Sequence, residues 1–260
     1  MSGAWESLQA ELQRWRDDGR TVEFWLRDDD AAAPHAALER LFELTGRWQI
    51  PLALAVIPHH AEGQLFSSLP PGTDVLQHGF DHRNRAGEGE KKCEFPSGEA
   101  SEHAKERLCR GRERLTALAG SRAIDVLVPP WNRISAALIP LLAGWGFRGI
   151  SRFRPRMAKR SAGVLEVNTH VDLIAWKGGR GFVGVELALE QAVRHLAARR
   201  LAAVDSTEPT GWLTHHACHD AATWRFLEEL FARLQEQPAV RWRSARELFG
   251  FAPPPVPAQR

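Results

Sequence analysis

Short apolar runs alternate with helical patterns along the chain. Strands are predicted at residues 21–27, 50–57, 74–77, 123–128, 147–151, 164–168, 211–214 and 240–242, where apolar and β-branched side chains cluster. Helical spacing is found at residues 36–47, 101–119, 135–143, 187–200 and 221–236. Strands that alternate with helices are typical of parallel βαβ units. The pattern therefore predicts an α/β protein with a single distorted (β/α) barrel of about seven strands.

The same pattern divides the chain into three parts. We expect an N-terminal helix at residues 1–20, the β/α barrel at 21–250 and a proline-rich tail at 251–260. Candidate site residues, described below, are spread from Asp28 to His215, so that most of the chain belongs to one barrel. This leaves no space for a separate carbohydrate-binding module within the sequence.

Charge and composition exclude several function classes. Lys and Arg number 34 against 32 Asp and Glu, which argues against binding nucleic acid or a membrane surface by bulk charge. The N-terminus has no apolar signal sequence, and no run reaches the roughly 18 apolar residues that span a bilayer. We therefore expect a cytoplasmic protein without a membrane span. Three scattered cysteines predict reduced thiols rather than disulfides or a cysteine-rich zinc site.

The first predicted strand ends in three consecutive aspartates, Asp28, Asp29 and Asp30. Adjacent carboxylates repel one another unless a cation lies among them. One of them, Asp30, could cap a helix, since aspartate accepts hydrogen bonds from the first helical N–H groups. A cap does not account for three aspartates, so the run indicates a metal or catalytic site. Barrel enzymes carry their chemistry at the ends of strands.

Two histidines four residues apart, His78 and His82, follow the third predicted strand. This spacing lets two imidazoles reach one ion. Alone, the pair is a weak signal. Combined with a carboxylate from another strand end, it predicts a two-histidine, one-carboxylate site that leaves metal positions open for water and substrate.

Two further strand ends carry candidate residues. Pro129, Pro130 and Trp131 follow the strand at 123–128, where prolines fix the backbone and a tryptophan can line a sugar cleft; a rigid turn over a core tryptophan is the alternative. His215 and His216 end the strand at 211–214, and one of them is expected to face the barrel mouth as a general acid.

Four motifs, taken in their order along the chain, resemble the polysaccharide deacetylase family. They are the Asp-Asp pair, the H-x-x-x-H element, the Pro-Pro-aromatic segment and the strand ending in histidine. This is the NodB-homology group, carbohydrate esterase family 4, here in its divergent bacterial branch. The resemblance spans residues 21–216. It implies a distorted barrel, a divalent metal and hydrolysis of an N-acetyl or O-acetyl group on a sugar.

The resemblance also implies residue roles. Asp28 matches the catalytic base and His215 the general acid, while the matched metal ligands are Asp29, His78 and His82. The residues expected to contact or position the substrate are Pro129, Pro130, Trp131, Asn132, Asp172 and Arg27. Zinc is the first expectation for the metal, although cobalt and nickel accept the same ligands.

Some positions depart from the family pattern. Asp30 stands where the family has a glycine, Gly79 where it has Ser or Thr, and Val128 where it has an arginine that contacts the base. Arg27 or Arg133 could supply that charge from a nearby position. If the last strand is displaced by one residue, His216 replaces His215 as the acid.

Several alternatives stay open at this point. The chain could hydrolyse a non-sugar amide, or be a pseudoenzyme that only binds a glycan. The expected partner is an acetylated sugar or a lipid-linked glycan precursor, with no nucleic acid; the oligomeric state is not predicted. The basic stretch at residues 152–160 is interpreted as a solvated loop, with contact to a substrate phosphate as the alternative.

Overall fold

A curled, mostly parallel sheet forms the centre of the computed structural model, which describes residues 3–177 and 179–252. Within these residues the ten strands are β1 (Val22–Ala31), β2 (Leu52–Val56), β3 (Thr73–His78), β4 (Ala123–Val128), β5 (Gly149–Ile150), β6 (Arg160–Ser161), β7 (Val164–Glu166), β8 (Val171–Asp172), β9 (Thr210–Thr214) and β10 (Val240–Trp242). Their order is β6-β7-β5-β4-β3-β2-β1-β9-β8, with β10 beside β1. Only the β6–β7 pair among them is antiparallel. The prediction of a distorted (β/α) barrel is confirmed, as a sheet curled into a half-barrel.

Most helices among the described residues cover the outer face of this sheet: α1 (Gly3–Asp17), α2 (Ala36–Arg47), α3 (Gly63–Ser67), α4 (Ser101–Ala119), α5 (Val185–Arg200) and α6 (Ala221–Gln235). The short α7 (Ala245–Leu248) instead packs against the interior apolar cluster through Ala245. The N-terminal helix α1 packs on α5, where the indole N–H of Trp15 donates to the Leu196 carbonyl oxygen. Asp220 caps α6 by accepting from Thr223 N–H. Most of the predicted proline-rich tail lies outside the described residues.

The barrel interior changes from apolar to charged along the strands. Side chains of a strand alternate between its two faces, and in β1 the residues Trp25, Arg27 and Asp29 share the inner face. Trp25 packs in an apolar interior cluster that includes Leu76 and Phe249. Arg27 and Asp29 follow at the carboxyl end of β1. This arrangement closes one end of the barrel with apolar side chains and places ionisable groups at the other.

Two predicted elements differ in the structure. The helix predicted at 135–143 is replaced by two short 3-10 turns, Ile139–Leu141 and Ala143–Trp145, because Pro140 lacks the N–H that a longer helix needs. Strand β1 continues to Ala31, four residues past its predicted end. The three aspartates therefore lie within the strand rather than in the loop after it.

Within residues 3–177 and 179–252, none of the helices combines the length and the apolar composition that a bilayer span requires.

Candidate active site

A cleft of about 650 Å³ opens at the carboxyl ends of the parallel strands. It gathers carboxylates, imidazoles, aromatic rings and basic groups from six separate segments. Its lining residues are Asp29, Asp30, His78, His82, Lys92, Trp131, Asn132, Arg133, Phe153, Asp172, Trp176, Arg180 and His215. Residues from all four strand ends singled out in the sequence are therefore brought together in one cavity.

The run of three aspartates is divided among three partners because β1 contains a bulge. Pairing with β2 matches Asp28 to Leu54 and Ala31 to Val56, so β1 holds one more residue than its neighbour over this stretch. Asp30 lies in the bulge with a φ of 72°, in the left-handed region. Bulges re-aim side chains. As a result the second and third aspartates both reach the cleft, whereas the first points away from it.

Asp29 forms a buried, bidentate ion pair with Arg27. Arg27 Nε lies 2.8 Å from Asp29 Oδ1, and Nη2 lies 3.0 Å from Oδ2. The guanidinium also donates to Ser151 Oγ at 2.6 Å and to Asn132 Oδ1 at 2.8 Å. Arg27 therefore supplies the charge that the sequence lacks at Val128. It supplies this charge to Asp29, not to Asp28.

Asp30, His78 and His82 form the cluster that we call the front triad. His78 Nε2 and His82 Nε2 lie 3.0 and 3.2 Å from the same oxygen, Asp30 Oδ1. The sequence-based assignment placed Asp29 with these histidines, and the geometry differs by one residue. The bulge is the physical reason, since it turns the side chain of Asp30 toward β3.

The donors of the front triad fit a divalent cation. His78 Nδ1 donates to the Val128 carbonyl oxygen at 3.0 Å, which leaves Nε2 of a neutral imidazole with a free lone pair. That lone pair faces a carboxylate oxygen, an arrangement that needs a proton or a cation between the two atoms. A ligating histidine typically donates its other N–H to a carbonyl, and two imidazoles with one carboxylate suit zinc-like ions.

Charges within the front triad bias its ionisation. Burial would raise the pKa of Asp30, but hydrogen bonds to His78 and His82 outweigh burial and hold this pKa well below its usual range. For His78, burial lowers the pKa, but the nearby carboxylates of Asp29 and Asp30 reverse the effect and raise it. Asp30 is thus held as the anion that a metal site requires.

Asp28 is fully buried and pairs with His216 outside the cleft. Its Oδ1 lies 2.5 Å from His216 Nδ1, and its Oδ2 accepts from Thr214 Oγ and the His216 N–H. Burial would raise the pKa of Asp28, but the charge of His216 and the hydrogen bond to it lower the pKa overall. Neither Asp28 nor His216 lines the cleft. The sequence-based role of Asp28 as the base in the cleft therefore does not agree with its position.

His215 faces the cleft and packs against Trp176. The two rings meet edge to face with centroids 4.6 Å apart. Trp176 Nε1 donates to Asp172 Oδ2 at 2.8 Å, so Asp172 reaches the histidine only through the indole. Burial raises the pKa of Asp172. Asp172 was expected near this histidine, whereas Trp176, four residues further along the chain, had no predicted role.

The segment after β4 forms one wall of the cleft. Trp131 and Asn132 line the cleft and both have a positive φ, 55° and 56°. The Trp131 ring lies 4.4 Å from the His82 ring, centroid to centroid. The N–H groups of Asn132 and Arg133 donate to carbonyl oxygens of the same turn, so neither is free to stabilise an oxyanion. Pro130 is buried and does not line the cleft.

Glu94 fixes the turn that carries His82, and local sequence patterns do not reveal it. Its carboxylate accepts the N–H groups of Phe80, Asp81 and His82 at 3.0 to 3.2 Å. A side chain at Gly79 would place its Cβ 2.1 Å from Glu94 Oε2, so only glycine fits there. This close approach explains the absence of Ser or Thr at position 79.

A second cluster of two histidines and a carboxylate lies at the opposite end of the barrel. We call His170, His195 and Glu208 the rear triad; all three are buried. The imidazole rings are stacked, with centroids 3.4 Å apart and planes 13° apart. Burial and the nearby Arg199 and Arg156 lower the pKa of His170 well below its usual value. The rear triad therefore consists of neutral imidazoles beside buried cations.

The basic stretch at 152–160 is mostly structural. Arg152 pairs with Glu166 at 2.7 Å, and the buried Arg156 pairs with Asp205 at 2.8 Å. These ion pairs leave neither guanidinium available to a ligand, so the alternative of a phosphate contact finds no support at these two positions.

Comparison with known proteins extends this picture. No family model matches the sequence, and no curated protein matches it. Solved structures do match. A peptidoglycan N-acetylglucosamine deacetylase, Bc1960, has a TM-score of 0.56 at 14% identity, covering 88% of this chain and 89% of that one. The chain has the NodB-like fold of carbohydrate esterase family 4.

Two further structures with this fold carry different descriptions. A family 4 acetyl xylan esterase from Clostridium thermocellum, in complex with a cobalt ion, has a TM-score of 0.54 at 13% identity, covering 88% of this chain and 90% of that one. A mutant of the family 4 pseudoenzyme BA3943 has a TM-score of 0.55 at 14% identity, covering 88% of this chain and 67% of that one. The fold is thus shared by proteins described as an esterase, a deacetylase and a pseudoenzyme.

Proposed function

We propose that this protein is a metal-dependent hydrolase that removes an acetyl group from an acetylated sugar. One observation carries the proposal. A single cleft contains a His-His-Asp donor set, a carboxylate held by a buried arginine, and a histidine against an aromatic ring. Binding a glycan without chemistry requires none of these ionisable groups.

The front triad would hold the metal. Asp30 supplies one carboxylate oxygen, and His78 and His82 supply their Nε2 atoms. When bound, a divalent ion would polarise the acyl carbonyl and lower the pKa of a water molecule. Zinc is our first choice; the cobalt ion in the acetyl xylan esterase from Clostridium thermocellum is consistent with a site that accepts several ions.

Asp29 is the group we assign as general base. It lines the cleft one residue from Asp30, so it is placed to take a proton from a water molecule that attacks the acyl carbon. Arg27 fixes both carboxylate oxygens and, through Asn132, ties the base to the wall of the cleft. This pairing keeps the carboxylate oriented during the proton transfer.

His215 is the group we assign as general acid. An amine leaves poorly unless it is protonated, so N-deacetylation requires a proton donor near the scissile bond. Trp176 packs on the imidazole and limits its rotation. The aromatic rings of Trp131, Trp176 and Phe153 around the cleft provide flat apolar surfaces on which a sugar ring can stack. They favour a sugar over a small non-sugar amide.

An acetate-release assay tests both the activity and the register. Zinc-loaded protein is given N-acetylated sugars, O-acetylated xylo-oligosaccharides and simple acetamides. We expect sugar deacetylation to fall by about 10²–10⁴-fold in Asp29→Asn. The matched variant Asp28→Asn is expected to lose thermal stability while each folded molecule retains most of its activity. Full activity in Asp29→Asn would exclude it as the base.

A non-catalytic glycan-binding protein is the second candidate, because a described pseudoenzyme has the same fold. The same assay separates the two. Binding of the sugars by metal-loaded protein without release of acetate from any substrate would favour the pseudoenzyme.

A further inference from the structure

Three basic side chains at the mouth of the cleft have no part in the proposed reaction. Lys92, Arg133 and Arg180 line the cleft and are exposed. No carboxylate of the described residues forms an ion pair with any of the three. By contrast, the surface arginines Arg194 and Arg233 pair with glutamates one helical turn away. The three mouth cations are therefore available to a ligand.

Each of these cations lies near an aromatic ring of the cleft in space or follows one closely along the chain. Lys92 Nζ lies 6.0 Å from the centroid of the Trp131 ring, and Arg133 Nη1 donates to the Lys92 carbonyl oxygen at 3.1 Å. Arg180 follows Trp176 along the chain and lines the same cavity. A sugar that stacks on either tryptophan would thus have a basic group beside it.

The carboxylates on the floor of the cleft already have partners of their own. Asp29 is bound by Arg27, Asp30 by the two histidines, and Asp172 by the Trp176 indole and a backbone N–H. Arg27 neutralises Asp29. With neutral imidazoles, the three mouth cations outnumber the two remaining carboxylates, Asp30 and Asp172, so the cleft has a net positive charge. A net positive charge attracts anionic ligands.

We propose that the acetylated sugar is anionic, and that Lys92, Arg133 and Arg180 bind its phosphate or carboxylate group. Guanidinium groups match both anions with two parallel hydrogen bonds. The phosphate would come from a sugar phosphate or a lipid-linked precursor, and the carboxylate from a sugar acid. This inference rests on the proposed function, because it names the substrate class of the same site.

The test compares three sugars that differ in one charged group. Zinc-loaded protein is given N-acetylglucosamine, its 1-phosphate and N-acetylmuramic acid, and acetate release is measured at low and high salt. We expect kcat/KM to be at least about tenfold higher for one of the charged sugars, and the preference to shrink as salt rises. Which charged sugar is preferred distinguishes phosphate from carboxylate.

Two matched triple variants test whether the three mouth cations cause the preference for a charged sugar. Lys92→Gln/Arg133→Gln/Arg180→Gln should bring the ratio of charged to neutral kcat/KM down to about one. The control Lys105→Gln/Arg225→Gln/Arg241→Gln removes the same charge from exposed positions outside the cleft and should keep the ratio. Circular dichroism verifies that both variants are folded.

The outcomes separate this inference from the proposed function. Equal kcat/KM for charged and neutral sugars overturns the inference while the hydrolase stands. If no sugar releases acetate, binding of the same three sugars is measured by calorimetry. Tighter binding of a charged sugar that the mouth variant abolishes supports the inference without the hydrolase. Equal binding, or none, overturns it.

Discussion

The front triad and the rear triad each combine two histidines with one carboxylate but differ in where their protons lie. The two triads occupy opposite ends of the barrel, and β9 connects the two regions: Thr210 at its start contacts His195, and His215 directly follows its end. In the front triad His78 Nδ1 donates to a carbonyl, so Nε2 is a free acceptor. In the rear triad His170 Nδ1 accepts the N–H of Gly211 at 3.0 Å, so Nε2 carries the proton.

The contact of His195 does not fix its tautomer. Its Nδ1 lies 2.9 Å from Thr210 Oγ, which accepts from Arg199 Nη1 and can either donate to the imidazole or accept from it. The protonated Nε2 of His170 cannot bind a metal. The partner of the other ring nitrogen, rather than the presence of two histidines and a carboxylate, decides which cluster is a metal site. Two buried guanidinium groups beside the rear triad oppose a cation further.

The largest expected effect is a difference in catalytic activity between variants at the two ends of the barrel. His215→Ala should lower kcat/KM for an acetylated sugar by about 10²–10⁴-fold and leave the melting temperature within a few degrees of wild type. His195→Ala should do the reverse, destabilising the protein while each folded molecule stays nearly as active. Acetate release and calorimetric unfolding measure both. A comparable loss of kcat/KM in the two variants would break the contrast between the ends.

The rear triad is expected to matter for folding. Glu208 is buried and accepts the N–H groups of Arg156 and Asn168, both at 2.9 Å. Glu208→Ala leaves these two donors unsatisfied and should cost about 2–4 kcal/mol of unfolding free energy. Urea titration measures the loss. Glu43→Ala, at an exposed position on α2, is the control and should stay within about 0.5 kcal/mol of wild type.

Much of the fold follows from the sequence, because strand and helix periods are local. The strands at 123–128 and 240–242 are confirmed to the residue, and the helix at 36–47 likewise. The three histidines His78, His82 and His215 were placed on the cleft by their position at strand ends. Each of these predictions depends only on neighbouring residues.

The aspartate roles could not be assigned from sequence because a bulge inserts one residue into β1. Alternation does place Arg27 and Asp29 on one face, which could have indicated their pairing. Nothing in a linear pattern marks the turn of Asp30 toward β3. The role of Glu94 is still harder to predict from the sequence, since its side chain contacts the His82 turn from a position 12 residues further along the chain. Such contacts depend on tertiary packing.

The free energy of unfolding should depend on pH through Glu208 in the rear triad. Burial raises the pKa of Glu208 to about 7, above its value of 4.5 in an unfolded chain. Between these values the folded state binds more protons, so this group's contribution to stability falls as pH rises from about 4.5 to about 7, by up to about 3 kcal/mol. The buried histidines add the opposite slope, because their lowered pKa values cost stability as pH falls.

The difference between wild type and Glu208→Gln isolates the glutamate, since the histidines are common to both proteins. Urea unfolding from pH 5 to pH 8 should show wild type losing stability relative to the variant as pH rises. A difference that does not change with pH would mean that Glu208 does not titrate in this range.

A smaller effect is expected from the partner of the general acid. Trp176→Phe keeps a ring near His215 but removes the indole N–H that Asp172 accepts. We expect kcat to fall by about three- to tenfold with an altered pH profile, because the imidazole loses part of its support. Trp145→Phe, in the core cluster away from the cleft, is the matched control and should leave the profile unchanged.

Metal content tests the central claim most directly. Protein purified, stripped with a chelator and reloaded with zinc is analysed by elemental mass spectrometry after dialysis. The account predicts about one zinc ion per wild-type chain, its loss in Asp30→Asn and His82→Ala, and its retention in Asp28→Asn, His170→Gln and His195→Gln. Zinc that persists in Asp30→Asn and His82→Ala but disappears from the rear-triad variants would contradict it.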